Sequence, residues 1–308
     1  MPSPHRSTSR PLPLGKPSSA APAAPAAPLL LPSDDPATFL TLMADTLRLS
    51  SETLTMAYVY IHRYKRWCAD TDSAAADSSP SPDSAGADTD ARQPVSDLLD
   101  EHNQANAPGP PGTRPAPATA HQTLSLASLS LATKATESPR RLREFLIPAY
   151  TLQHPTSPPL TFPSPLYDAL RSTLVTAELL LLRVLRFELR LPLPYEYLPR
   201  LLERALTLSD APAAEEERLE CRVVDWKDTA LGRAVWVKVA QAMTRYRVCN
   251  FFPARAVAAA CVYYVAVVER GLRAPGGAEV WVRRVAGERV EWEDFVDALE
   301  EIRALTAV

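Results

Sequence analysis

The chain has 308 residues, 31 of them proline, and a formal net charge of -3 at pH 7. That length allows about two domains of ordinary size, and the slight negative charge argues against nucleic-acid binding, which usually requires a basic face. The four cysteines form no CxxC pair and no apolar run reaches the ~18–20 residues of a membrane span, which argues against a zinc ribbon, a disulfide framework and a membrane protein.

Two segments have a composition that is typical of disorder. Residues 1–33 are rich in Pro, Ala and Ser, and residues 68–120 contain no Phe, Tyr or Trp. Such segments bury too little apolar surface to offset the entropy lost on ordering, so we expect both to be disordered. The second segment is predicted to be an insertion within a folded domain, because surface insertions add little closure entropy.

Two helices are predicted around the first apolar stripes. Asp35 followed by Pro36 supplies an N-cap residue and a proline at the first helical position. The face of this helix is marked by Leu40, Met43 and Leu47. In SSETLTMAYVYIHRYKRW, apolar residues recur from Leu54 at the i, i+3, i+4, i+7 spacing of a second helix. We interpret the basic YKRW run as a solvated helix end and His62 as a surface residue.

Three further helices are predicted after the insertion. LSLASLSLATKAT alternates enough to allow a strand, but its alanines favour a helix with a small-residue stripe. RRLREFLIPAY predicts a short helix. LYDALRSTLVTAELLLLRVLRF predicts a long helix that is apolar nearly all round, and we therefore expect it to be central.

Glu178 is the one carboxylate at the head of the leucine run in this long helix. The positions three and four residues away hold Leu174, Val175, Leu181 and Leu182, so no neighbour on the helix can neutralise it. An unpaired buried charge is costly, so Glu178 must reach water or a partner on another element. An arginine such as Arg140 or Arg141 is one possible partner, and Lys134 has a local alternative in Glu137.

A second series of helices follows the proline-rich hinge LRLPLPYEYLPRLL. The predicted helices are KDTALGRAVWVKVAQAMTRY, NFFPARAVAAACVYYVAVVERG, AEVWVRRVA and EWEDFVDALEEIRAL. Pro253 lies near the start of the second of these and Gly271 just past its end. The last helix is expected to bury a stripe of Trp292, Phe295, Leu299 and Ile302. Without a convincing strand series, the sequence predicts an all-α chain of two sets of roughly five helices.

This arrangement resembles the cyclin fold, which consists of two five-helix boxes in tandem. In cyclins the third helix ends in a motif like A-x-K-x-E-E, and the fifth contains E-x-x-x-L-x-x-L-x-F. The matching residues here are Ala132, Lys134 and Glu137 in the first motif, and Glu178, Leu182, Leu185 and Phe187 in the second. The phrase LLLLRVLRFEL followed by P-x-x-Y-L is most similar to cyclin-Q and the transcriptional cyclins of the C, K and L types. The resemblance implies a first box over 34–193 that contains the insertion 68–120, and a second box over 194–308.

The resemblance also implies a function. Lys134, Glu137 and Glu178 would bind a cyclin-dependent protein kinase, with the lysine and Glu178 holding its regulatory helix. Ala135 and Thr136 depart from the apolar and acidic residues that usually follow the lysine. A protein of this kind is a non-catalytic regulator, here of RNA polymerase II transcription, in the nucleus or also in the cytoplasm. We expect no cofactor, no metal, no membrane and no direct nucleic-acid partner.

Two other classes of function are weighed against the kinase regulator. Transcription factor IIB also uses two cyclin-like boxes, but it needs a basic face and normally carries a zinc ribbon. A scaffold with the cyclin fold and no kinase partner is the other alternative. An enzyme has little support, because the sequence contains no GxGxxG, P-loop, GxSxG or HExxH motif.

Overall fold

In a computed structural model of the chain we describe residues 36–77, 117–209, 214–215, 219 and 225–306. All regular secondary structure in these ranges is helical, and they contain no strand. The predicted all-α class is therefore confirmed. The predicted disorder of residues 1–33, and that of residues 78–116 within the insertion, lies outside the described residues.

Eleven α-helices have both ends within the described residues. They are α1 (Pro36–Leu47), α2 (Ser51–Asp77), α3 (Pro117–Ala135), α4 (Leu142–Gln153), α5 (Pro165–Val184), α6 (Leu198–Leu208), α7 (Ala230–Ala242), α8 (Tyr246–Phe251), α9 (Ala254–Tyr263), α10 (Gly277–Val285) and α11 (Trp292–Thr306). Short 3₁₀ helices at Pro194–Tyr197 and Trp226–Asp228 precede α6 and α7, and a π-helical segment, Tyr264–Glu269, continues α9.

The helices pack as two groups, each around one buried helix. In the first group α3 contacts α1, α2, α4 and α5. In the second group α9 contacts α6, α7 and α11, and its residues from Ala256 to Val262 are all buried. The two groups meet where α8 packs against α2. The boundary between residues 193 and 194 that the resemblance implies stays a prediction.

Helix α3 can occupy the centre of the first group because small residues alternate with its leucines and most of its hydroxyls are satisfied within the helix. Every residue from Leu124 to Thr133 is buried. Ser125 and Ser128 donate to the carbonyls of His121 and Ser125, at 2.8 and 2.7 Å. These bonds within the helix offset the cost of burying hydroxyl groups. The predicted choice of helix over strand for this segment is confirmed.

Three helices end without glycine in a motif that usually favours glycine. Arg48, Glu137 and Arg186 follow α1, α3 and α5 with φ of +51°, +56° and +52°. After α5, Arg186 N–H donates to the carbonyl of Arg183 at 3.0 Å, and Phe187 N–H to that of Leu182 at 2.8 Å. This pair of bonds defines a Schellman motif, which satisfies the last helical carbonyls.

Several predicted helix boundaries differ from the observed ones. Helix α2 continues to Asp77, so the start of the predicted insertion, residues 68–77, is helical rather than disordered. Helix α3 begins at Pro117, which removes another four residues from the predicted insertion. Helix α5 ends at Val184 instead of Phe187, because the left-handed residues that follow stop it. The short helix α8 was not predicted as a helix of its own, because the apolar pattern does not distinguish it from the predicted helices on either side.

Two predicted environments are wrong. Trp292 was expected in the buried stripe of α11, but it is the first residue of the helix and lies exposed, while Phe295, Leu299 and Ile302 are buried. His62 was expected on the surface, but it is buried. The second error arises because α8 covers that face of α2, a contact that the pattern of α2 alone does not reveal.

Candidate functional site

The site centres on an ion pair between α3 and α5. The Nζ atom of Lys134 donates to both carboxylate oxygens of Glu178, at 2.9 Å to Oε1 and 2.8 Å to Oε2. The two residues lie 44 positions apart in the sequence. Lys134 is therefore the partner of Glu178, which has no counter-ion on its own helix. The structure thus brings together two of the three predicted site residues.

The two charges differ in their exposure. The side chain of Glu178 is 10% exposed, whereas that of Lys134 is 45% exposed. Lysine stands in the last turn of α3, where the helix reaches the surface, and Glu178 stands in the middle of α5, which packs against α3. The carboxylate is thus held under an ammonium group that remains accessible from outside.

A third residue, Ser130, completes the environment of the carboxylate. Its hydroxyl is fully buried and donates to Oε1 of Glu178. Ser130 lies four residues before Lys134, so the hydroxyl and the ammonium share one face of α3. The sequence analysis missed Ser130. The same i, i+4 spacing on a helix that was already predicted is the signal that could have found it.

Glu137, the third predicted site residue, lies apart from this pair. Its carboxylate forms an ion pair with Arg190 at 2.6 Å, and both side chains are 78% exposed. The local alternative, an ion pair of Lys134 with Glu137, is therefore not the arrangement in this structure, and neither is a pairing of Glu178 with Arg140 or Arg141. A role for Glu137 in kinase binding stays a prediction.

Several apolar side chains are exposed on the outer side of α5. Val175 and Leu179 are one turn apart and both exposed, the latter to 50%. Leu182 is half-buried, and Phe187 is exposed just beyond the helix end. We call Val175, Leu179 and Phe187 the α5 face. It adjoins the ion pair, because Val175 lies three residues before Glu178 and therefore on the same side of the helix.

The described residues contain no group of three or more His, Cys, Asp and Glu side chains placed to hold a metal ion. Within the same part of the chain, no helix is both long enough and apolar enough to cross a membrane.

No protein-family model matches the chain, and no curated protein matches it significantly. What the chain does must therefore be inferred from its own residues.

Proposed function

We propose that this chain is a cyclin-like regulatory subunit that binds and activates a cyclin-dependent serine/threonine protein kinase, and that the kinase acts in RNA polymerase II transcription control. The observation that carries the proposal is the ion pair of Lys134 and Glu178, 2.8 Å between Nζ and Oε2. It joins the two residues that the resemblance to cyclins assigns as kinase anchors.

The hydrogen-bonding capacity of the pair suits it to hold a partner's backbone. An ammonium group has three donors, and Lys134 uses its Nζ on the two oxygens of one carboxylate. A third donor remains for a carbonyl oxygen of the partner. The carboxylate of Glu178 has about four acceptor positions, of which Ser130 and Lys134 occupy three. A partner's N–H group can take the fourth.

The α5 face supplies the apolar part of such an interface. Specific interfaces combine a hydrophobic centre with polar groups that are satisfied across the contact. Val175 and Leu179 present apolar surface beside the ion pair. A helix of the kinase laid against α5 would cover these side chains and bring its own backbone ends to Lys134 and Glu178.

The packing of the helices supports two cyclin boxes in tandem. The first box would comprise α1–α5 around α3, and the second would comprise the helices from α6 onward around α9. The anchors then lie on the third and fifth helices of the first box.

Activation follows from differential binding. A regulator shifts a kinase toward its active state only if it binds that state more tightly. In protein kinases the regulatory helix must be positioned so that its Glu pairs with the active-site Lys. In this proposal, the α5 face and the ion pair stabilise the helix in that position, and the chain itself performs no chemistry.

The test is co-purification of a protein kinase with the tagged full chain, followed by a kinase assay. We expect Leu179→Glu to abolish co-purification, since it places a charge within the α5 face without disturbing the core. Val237→Glu is the matched control, because Val237 is 53% exposed on α7, in the other helix group. The proposal fails if no kinase is captured, or if both variants retain it equally.

A further inference from the structure

A cleft distinct from the α5 face opens between the two helix groups. Its volume is about 650 Å³, and it lies where the first turns of α2, the end of α3, the segment before α6 and the 3₁₀ helix at Trp226–Asp228 converge. Neither Lys134 nor Glu178 lines it. The volume falls within the range of about 300–1,000 Å³ that is typical of ligand sites.

The lining of this cleft is acidic. It includes four carboxylates, from Glu52, Glu137, Glu196 and Asp225, against two cations, from Arg190 and Lys227. The cations pair with Glu137 and Glu52, respectively. Within the described part of the chain, Glu196 accepts from the backbone N–H of Leu193 at 3.2 Å and Asp225 from that of Lys227 at 3.1 Å, and neither carboxylate forms an ion pair there. The described lining residues therefore carry an excess of two negative charges.

One of the cations already occupies a site built from aromatic rings. The Nζ atom of Lys227 lies 4.8 Å from the ring centre of Trp236 and 5.8 Å from that of Trp226. The ring of Tyr195 packs on Trp236 with centres 4.2 Å apart, which fixes the indole. A cation within about 6 Å of an aromatic face is attracted by the ring quadrupole. The internal lysine thus marks a position that favours a positive charge.

The contacts of Lys227 at this position are weak. Its Nζ atom is 3.8 Å from Oε1 of Glu52, which is an ion pair without hydrogen-bond contact, and its side chain is 50% exposed. A guanidinium would fit better, since it is planar, is less strongly hydrated than an ammonium, stacks on aromatic faces and pairs with carboxylates through two parallel N–H groups.

We propose that this cleft binds an arginine-containing segment of a partner protein. The guanidinium displaces the ammonium of Lys227 from the faces of Trp226 and Trp236 and pairs with Glu52. The excess charge of Glu196 and Asp225 attracts a second basic residue of the same segment. This site goes beyond the proposed kinase contact. Of the three residues predicted to bind the kinase, only Glu137 lines the cleft, and the arginine site does not use Lys134 or Glu178.

The test measures, by fluorescence anisotropy, how tightly a fluorescein-labelled peptide binds to the full chain. The peptide carries two arginines with one proline and one valine between them. The matched probe carries citrulline, which is neutral and nearly isosteric, in place of both arginines. We expect the arginine peptide to bind at least about tenfold more tightly than the citrulline peptide, the size of effect expected for losing a charge-assisted contact. Glu52→Gln should weaken the arginine peptide by about tenfold.

Lys227→Ala separates this site from general electrostatic attraction. It should tighten binding of the arginine peptide about threefold or more, because it empties the aromatic faces. Arg190→Ala removes the same charge from the cleft but leaves those faces occupied, so it should tighten binding less. The proposal is overturned if the two variants act equally, if Lys227→Ala weakens binding, or if the citrulline peptide binds as well as the arginine peptide.

Discussion

At the scale of single residues, the unequal exposure of Lys134 and Glu178 decides how each can be tested. Glu178 is 10% exposed and Lys134 is 45% exposed. Removing the lysine therefore leaves a buried carboxylate with only Ser130 beside it, whereas removing the carboxylate leaves an ammonium that water can reach. We therefore expect Glu178→Ala to leave the fold largely intact and Lys134→Ala to destabilise it.

We predict that Lys134→Ala and Glu178→Ala each weaken kinase binding. Truncating one member of a desolvated charge pair at an interface typically costs about 2–5 kcal/mol, which is roughly 30-fold or more in affinity. Lys134→Ala should also lower the melting temperature. In the double variant, with both charges removed, folding stability should recover relative to Lys134→Ala while binding stays weak.

Thermal melting and kinase affinity, measured for the parent and these three variants, check the prediction. Leu181→Ala is the control for loss of stability alone, since Leu181 is fully buried and a buried Leu→Ala change costs about 2–5 kcal/mol. Leu182, the next residue of the leucine run, is less suitable because it is only half-buried. If the ion pair served only to stabilise the fold, the loss of kinase affinity would parallel the loss of melting temperature in every variant. The double variant would then recover affinity together with stability.

At the scale of helices, the starts were easier to predict than the ends. Pro36 begins α1, and Ser164, followed by Pro165, caps the start of α5 by accepting from the N–H of Tyr167 at 3.2 Å. Gly271 lies just past the π-helical continuation of α9 at φ +69°, as its sequence position predicts. Arg186 ends α5 in the same left-handed region. Because arginine ordinarily favours helix, nothing in the sequence marks that end.

Local sequence patterns could not predict which helices pack against each other at the site. Lys134 and Glu178 stand on different helices, and only the resemblance to cyclins linked them before their contact was seen. Ser130 was missed because the leucine–serine alternation of α3 alone does not show which serine faces α5, although its spacing of four residues from Lys134 does once Lys134 is paired with Glu178. Burial of His62 was missed because it depends on α8, a six-residue helix from the other group.

We predict that Arg186→Gly stabilises the protein. Left-handed backbone costs a residue with a Cβ atom roughly 1 kcal/mol, and glycine avoids that cost. The expected gain of about 1 kcal/mol corresponds to a rise of about 2–4 °C in the melting temperature. The same change at Arg183, which is exposed in the last turn of α5 in ordinary helical conformation, should instead cost about 1 kcal/mol. Equal destabilisation by both changes would contradict the assigned helix end.

At the scale of the whole molecule, the contact of α2 with α8 links the two helix groups through a small polar network. Nε2 of His62 lies 3.0 Å from the carbonyl oxygen of Thr244, and Asn250 donates to the carbonyl of His62 at 3.1 Å. Arg66 donates to the carbonyl of Asn250 at 3.0 Å. The ring of Tyr246 meets that of His62 edge-on, at 5.8 Å between centres. These bonds hold the two helix groups together at the contact of α2 with α8. The imidazole of His62 is the titratable ring that is buried there.

The protonation state of this ring follows from its surroundings. Because the carbonyl of Thr244 only accepts, Nε2 carries the hydrogen and Nδ1 is the position that a second proton would take. Nδ1 is buried, and within the described part of the chain it has no hydrogen-bond partner. Burial, together with the nearby charge of Lys65, lowers the pKa of His62 to about 4, although the bond to Thr244 opposes this shift.

We predict that the free energy of unfolding decreases as the pH falls from about 6.5, the ordinary pKa of histidine, to about 4, the pKa in the folded state. In that window the unfolded chain binds a proton at His62 and the folded chain does not, so acid favours unfolding. The full loss from this residue is about 3 kcal/mol, and it is absent above pH about 6.5. Urea unfolding across this window measures the loss of stability.

His62→Gln keeps a donor for Thr244 but cannot titrate, so it should flatten the pH dependence in this range. His154→Gln, at an exposed histidine, is the control and should leave the pH dependence unchanged. If His62→Gln retains the slope of the parent, the acid sensitivity arises elsewhere and His62 is not the group that titrates between the two helix groups.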